Sequence, residues 1–201
     1  MKIPTPTEAI SLLKDAETQN PGLWAEHSKV TASTAKLIAE KCPSIDEDTA
    51  FTMGLLHDIG RYDGWKHFTH ILDGYHYLMK LGYTDAASIC LTHSFPISEV
   101  GTYHGEIDCS TEDVEFVSSY LINHKYSDYD KLIQLCDAIS LPHGTVLMEK
   151  RLVDVVMRYG LAEWTLRKWK AYFDLKQYFD ELAGCNIYSL FPNIIQDTFE
   201  W

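Results

Sequence analysis

The sequence predicts an all-α protein, and three observations carry that prediction. Apolar residues return at spacings of three and four through almost every segment, the period of one helix face. Segments open on cap residues and close on Gly or Pro, as at Thr5-Pro6-Thr7-Glu8 and Cys42-Pro43. No stretch sustains the alternation of a half-buried strand, and no repeat or low-complexity linker divides the 201 residues, so one domain over 1–201 is expected.

The elements follow in order. Thr5 is the expected cap of a first helix, with Pro6 at its first position, Glu8 closing a capping box and Ala9 to Leu13 continuing it. Asn20-Pro21-Gly22 breaks the chain. A helix over about 23–41 carries the stripe His27, Val30, Thr34, Leu37 and Ile38, which turns His27 inward. Ser44-Ile45-Asp46-Glu47 reads as a capping box opening the next helix, which runs through Met53-Gly54-Leu55-Leu56 onto His57-Asp58. Adjacent helical side chains diverge by about 100°, so these two share a target only if the helix stops there. Gly60 is the expected left-handed stop.

A helix over about 67–81 places His70, Gly74, Tyr77, Leu78 and Leu81 on one face; Gly74 allows a close backbone approach and Gly82 ends the helix. Thr84-Asp85 is expected to cap a short helix with the inner face Ala86, Ile89, Cys90 and His93, stopped by Pro96. Residues 98–110 read as an acidic loop and 112–125 as a helix. Ser127 or Asp128 caps the next helix, whose apolar pattern of Leu132, Ile133, Leu135, Cys136 and Ile139 contains Asp137. After Pro142-His143-Gly144, further helices are expected over about 146–159 and 163–182, then an aromatic segment to Trp201.

Composition limits function. A net charge of −12 argues against long nucleic acid and anionic membranes as partners, and no apolar run has the length of a membrane span. Five cysteines (Cys42, Cys90, Cys109, Cys136, Cys185) without C-x-x-C spacing read as free thiols in a reducing compartment. The N-terminus lacks the apolar core of a signal peptide, so the expected location is cytoplasmic. Nine histidines are the unusual feature.

Six His or Asp residues fall on apolar helix faces: His27, His57, Asp58, His70, His93 and Asp137. Singly, each reads as a core residue bonded to a carbonyl or a cap. Together, four imidazoles and two carboxylates are too costly to bury without metals or complete hydrogen bonding. The order H…HD…H…H…D resembles the HD-domain metal-dependent phosphohydrolase superfamily. The resemblance rests on Leu55-Leu56-His57-Asp58-Ile59-Gly60-Arg61, His70-Ile71-Leu72-Asp73-Gly74, Ile89-Cys90-Leu91-Thr92-His93 and Leu135-Cys136-Asp137-Ala138. It covers about His27 to Asp137 and implies a helical HD bundle with a metal-binding core over about 22–145 and additional C-terminal helices over 146–201. It also implies that His27, His57, Asp58 and Asp137 bind one metal, and that His70 and His93 add a second. No G-Y-P tripeptide of the cyclic-dinucleotide branch is present, and the layout is similar to the small bacterial hydrolases.

Two divalent ions (Fe, Mn, Zn, Ni, Co or Mg) beside two carboxylates leave a positive surplus where a phosphate can bind, with Asp58 as the expected bridge. Metal-bound water loses its proton readily, and the resulting hydroxide attacks phosphorus. The expected activity is hydrolysis of a small phosphate compound, with a nucleotide as the leading substrate. Some HD-fold members instead hold two irons and cleave C–C or C–P bonds with O₂, and a non-catalytic nucleotide sensor is a third reading. Arg61, emerging just after Gly60, is expected to contact substrate phosphate; pairing with Asp63 or another acid is the alternative. Lys66, His67, His124 and Lys125 are weaker substrate candidates. His76 and His104 read as exposed. The run Lys150, Arg151, Arg158, Arg167, Lys168 and Lys170 reads as a solvated face. The aromatics Trp164, Trp169, Tyr172, Phe173, Tyr178, Phe179 and Trp201 read as core or the surface of a homodimer.

Overall fold

The computed structural model describes residues 1–199. The helices are α1 (Pro6–Gln19), α2 (Leu23–Ala39), α3 (Glu47–Leu56), α4 (Thr69–Lys80), α5 (Thr84–Thr92), α6 (Thr111–Asn123), α7 (Asp128–Ala138), α8 (Met148–Tyr159), α9 (Thr165–Ala183) and α10 (Ile194–Phe199). One small hairpin, absent from the sequence reading, pairs β1 (Ser140–Leu141) antiparallel with β2 (Gly144–Thr145) around Pro142-His143. Two residues per strand are too few for an alternating pattern to register in sequence.

Local chemistry explains the helix starts. Thr5 and Glu8 form the expected capping box, Ser127 is the cap of α7 with Asp130 as its reciprocal partner, and Ser110 with Asp113 does the same for α6. Two expected caps move. Asp46, not Ser44, caps α3 by accepting from Thr49 N at 2.7 Å. Asp85 does not cap α5; its carboxylate instead accepts from Lys2 N.

α2 and α3 pack backbone to backbone. The inward face of α2 is small (Ala25, Ser28, Ala32, Ala35), and a Cβ on Gly54 of α3 would stand 2.7 Å from Ala32 Cα. That approach leaves no room for a large side chain between them. The expected stripe is corrected accordingly: Leu37 is exposed. Gly60 is corrected too. It lies in a 3-10 turn over Ile59–Asp63 and is not among the left-handed glycines. A Cβ there would meet His70 O at 2.0 Å and Gly74 N at 2.4 Å, so this glycine permits the turn to dock on α4. Gly74 is the other half of the contact.

Three buried clusters meet around the helix ends. One joins α2, α3 and α7 with the C-terminal helices; a second joins α1 to α2, α3 and α5; a third joins α4, α5 and α6. Tyr172 and Phe179 of α9 lie in the first cluster, with Trp169 and Tyr178 packed at its edge, whereas Phe173 is exposed. Trp201 lies outside the described residues. All five cysteines are free, and no described helix is long and apolar enough to cross a membrane.

Candidate metal centre

Five elements deliver the six residues. His27 comes from α2, His57 caps the C-terminal end of α3, His70 sits in the first turn of α4, His93 caps the end of α5, and Asp137 lies near the end of α7. Asp58 leaves the α-helical path at φ −105°, ψ 14°, which frees its side chain from the divergence of adjacent helical positions. The rings of His27 and His57 lie 5.2 Å apart, those of His57 and His93 5.0 Å, and those of His70 and His93 5.7 Å. Two groups of donor atoms converge: His27, His57 and Asp58, and Asp58, His70 and His93. Asp58 belongs to both. Asp137 reaches the first group through His27, with Oδ1 at 2.9 Å from Nε2, and lies 4.0 Å from His57 Nε2.

Hydrogen bonding on the far side of three rings fixes their protonation. A carbonyl only accepts, so a ring nitrogen facing one must carry the proton. His57 Nδ1 donates to Gly54 O at 2.7 Å, His93 Nδ1 to Cys90 O at 2.9 Å, and His70 Nδ1 to His67 O. With Nδ1 committed outward, each ring turns Nε2 toward the centre, the arrangement of a metal-ligating imidazole, and His70 Nε2 also meets Arg61 Nη2 at 3.4 Å. His70 Nε2 stands 3.0 Å from Asp58 Oδ1 without the alignment of a hydrogen bond. His57 Nε2 and Asp58 Oδ1 are buried without a hydrogen-bond partner among the described residues. Lone pairs facing one another in a buried site are costly, and a cation between them removes the cost. The residues thus fit a divalent metal.

Electrostatics agree. Burial alone would raise the Asp58 carboxyl, but the Arg61 guanidinium beside it opposes burial, and the carboxyl lies well below the usual range. Burial likewise opposes ionisation of Asp137, and hydrogen bonding and charge from His27 overcome it. Burial pushes His93 down to about 3, and neighbouring His57 adds to the effect. The carboxylates stay ionised and the imidazole stays neutral, the states that bind metals.

The sequence profile of the HD domain matches residues 24–141, a span that contains all six residues. The chain belongs to the HD-domain family. The structure is similar to the crystal structure of the HD domain of the L. monocytogenes phosphodiesterase PgpH, at 16% sequence identity and a TM-score of 0.50, covering 89% of this chain and 96% of that one. At that identity the likeness concerns the fold, which is the helical HD fold expected from the sequence. No curated protein matches the chain in sequence. HD domains bind divalent metals, and the His/Asp groups here suit that chemistry.

Five residues of the candidate metal centre, His27, Asp58, His70, His93 and Asp137, form the floor of a cavity of about 670 Å³ in this HD domain. Arg61 lines it, but its Nε is committed to Asp58 Oδ2 at 2.6 Å, while Nη1 donates to Lys66 O at 3.3 Å. The acid it pairs with is thus a candidate ligand, and Asp63 is taken by Lys66. Lys66 and His67 are at the cavity, with the Lys66 ammonium also held by Asp73 at 2.7 Å. His124 and Lys125 do not line it. His124 pairs with Asp130 at 3.3 Å and stacks on Tyr120, and Lys125 is exposed.

Two readings of the remaining residues are corrected. His104 is not exposed: it packs 4.4 Å from Trp164, lines the cavity, and is pushed down to about 4 by burial. The cationic run is not one solvated face. Lys150, Arg167 and Lys170 make surface pairs with Asp154, Glu99 and Asp174, but Arg151, Arg158 and Lys168 line the cavity. A seven-residue spacing puts Arg151 and Arg158 on one face of α8, a signal that was available in the sequence.

Proposed function

We propose that this HD-domain protein is a metal-dependent phosphohydrolase that acts on a small phosphate compound, with a nucleotide as the substrate class. The observation that carries the reading is the pair of buried, unpartnered donors, His57 Nε2 and Asp58 Oδ1, set among imidazoles whose protons are held on the outer side. We assign two metal positions: one to His27, His57, Asp58 and Asp137, the other to Asp58, His70 and His93, with Asp58 shared. Bound divalent ions supply Lewis acidity toward phosphoryl oxygens and acidify a water. The protein's own groups do the rest. Asp58 and Asp137 keep the floor from over-accumulating positive charge. Arg61 fixes the orientation of Asp58 and, at the cavity wall, stands where phosphate oxygens would lie, with Nη1 and Nη2 resting on Lys66 O and His70 Nε2. Lys66 and His67 stand at the cavity wall for substrate contact. The cavity is of a size that suits a nucleotide, and Tyr103, His104, Tyr159 and Trp65 offer rings against which a base can pack. The C-terminal helices close one side of the site, so core and extension act as one unit.

The test joins elemental analysis of the purified protein to a screen of nucleotides, phosphomonoesters and phosphodiesters under each divalent metal. Metal-dependent release of phosphate or of an alcohol, lost on chelation and regained on reloading, is the expected result. Iron-loaded protein that consumes oxygen and leaves every phosphate ester intact would overturn the reading, as would tight nucleotide binding without turnover under any metal.

A further inference from the structure

We infer that α8 and α9 build a second anion subsite across the cavity from the metal floor, and that the ligand of this protein carries two phosphoryl groups, one for each end. The inference rests on the phosphohydrolase reading for the first group and on Arg151, Arg158 and Lys168 for the second.

Arg151 is the central observation. Its side chain lines the cavity, and its Nε and Nη1 are buried without a hydrogen-bond partner among the described residues. A guanidinium stays charged at any physiological pH, so it cannot escape this position by losing its proton. An unmatched buried cation is costly, and a planar array of free donors fits a phosphoryl group in the paired geometry such groups prefer. Arg158, on the same face, is close enough that its own charge is disfavoured, first by burial and next by Arg151. Its Nε donates to Asp154 O at 3.3 Å and leaves the ends of the guanidinium free of any ion pair among the described residues. Lys168 is only 3% exposed. Its ammonium donates once, to Thr102 O at 2.8 Å, and keeps two protons for other acceptors. Burial pushes it down to about 7, against the pull of Asp137, so a nearby dianion would hold its charge in place.

The only carboxylate that α8 adds to this wall is Asp154, which is matched by Lys150 at 3.4 Å. Three cations therefore face the cavity without an anionic partner of their own. A carboxylate would answer one of them, whereas a phosphoryl group brings between one and two negative charges and three acceptor oxygens. Asp137 pulls on Lys168 and Arg158 from the floor, but Asp58 and Asp137 are paired with Arg61 and His27 and form no ion pair with the three cations. All three cations lie outside residues 24–141, the span that the HD-domain profile matches.

The test is binding, not turnover. Titration calorimetry on metal-loaded protein compares inorganic pyrophosphate, with two phosphoryl groups, against orthophosphate, with one. The expected result is tighter binding of pyrophosphate by tenfold or more, and a fall of that ratio by about tenfold in Arg151→Met at full metal content, as loss of a charge-assisted contact implies. Arg158→Met carries the same test on a side chain that is only partly covered, in case Arg151→Met does not fold. Equal affinity for the two anions in the unmodified protein would overturn the inference, as would a pyrophosphate preference that survives in both variants. A protein that shows the expected ratio yet hydrolyses nothing would overturn the phosphohydrolase reading and leave the second subsite standing.

Discussion

The two ends of the cavity are built on opposite principles. On the floor, His57, His70 and His93 have Nδ1 tied to a main-chain carbonyl, and Asp58 is tied by Arg61, so the inward-facing donors have almost no freedom. On the wall, Arg151, Arg158 and Lys168 are long cations with few partners. A donor set for a metal must be preorganised to within a fraction of an ångström, because coordination distances tolerate little error. A wall that receives a flexible anion gains from reach. On the proposed reading, the floor fixes the chemistry and the wall selects the molecule on which it is performed.

The largest expected effect tests the floor. Asp58→Ala removes the carboxylate common to both donor groups. Metal content should fall to near zero, activity to background, and the melting temperature should lose the increment that metal binding adds. An Asp58→Ala protein with full metal and normal turnover would sink the floor as described.

Arg61→Ala comes next and separates positioning from substrate contact. It should weaken metal affinity by about ten- to a hundredfold, as removal of the group that orients a ligand does. kcat/KM should then fall far more at limiting metal than at saturating metal, with partial recovery in Arg61→Lys. If metal affinity is unchanged and kcat/KM falls alone, Arg61 acts on the substrate and not on Asp58.

A smaller effect concerns pH and the rim between floor and wall. His104 is held near 4 in the folded protein against an ordinary 6.5. The unfolded chain therefore binds a proton in a range where the folded protein does not, and stability falls as pH drops from about 6.5 toward 4. One proton contributes a slope of at most about 1.4 kcal/mol per pH unit. With chelator present, the loss of melting temperature between pH 7 and pH 5 should be smaller in His104→Phe than in the unmodified protein. Equal losses would place His104 in solvent.

The smallest expected effect lies outside both regions. His124→Ala and Lys125→Ala should leave metal content and kcat/KM within error, since neither residue lines the cavity. A tenfold change in kcat/KM for either would mean that the cavity's limits are drawn wrongly.

The floor was legible in the sequence because burial of polar residues leaves a mark. His27, His70, His93 and Asp137 each interrupt an apolar helical pattern, and His57-Asp58 ends one. The wall left no such mark. Arg151, Arg158 and Lys168 sit among acids on helices with ordinary polar faces; the seven-residue spacing shows that the two arginines share a face, but only tertiary packing tells a face turned to a cavity from one turned to water. Arg61 shows a third case. Its position is legible, but its partner is not, because Asp58 reads as a metal ligand and Asp63 is nearer in sequence. Gly60 is a fourth: the residue was singled out correctly, but its φ is ordinary, and what it provides is the absence of a side chain.

That absence acts as a gauge. The main chain of the turn after Asp58 rests directly on the main chain of α4 at His70 and Gly74, with nothing compressible between them. The offset between Asp58 and His70 is consequently set by backbone thickness, the least adjustable dimension a protein has. Drift in neighbouring side chains cannot widen or narrow the gap by small steps. Adaptation to a larger or smaller ion must exchange a donor outright. A library randomised at 60 and 74 and selected for metal retention should return glycine at both positions, and recovery of alanine at Gly60 with full metal content would show that the gauge has slack.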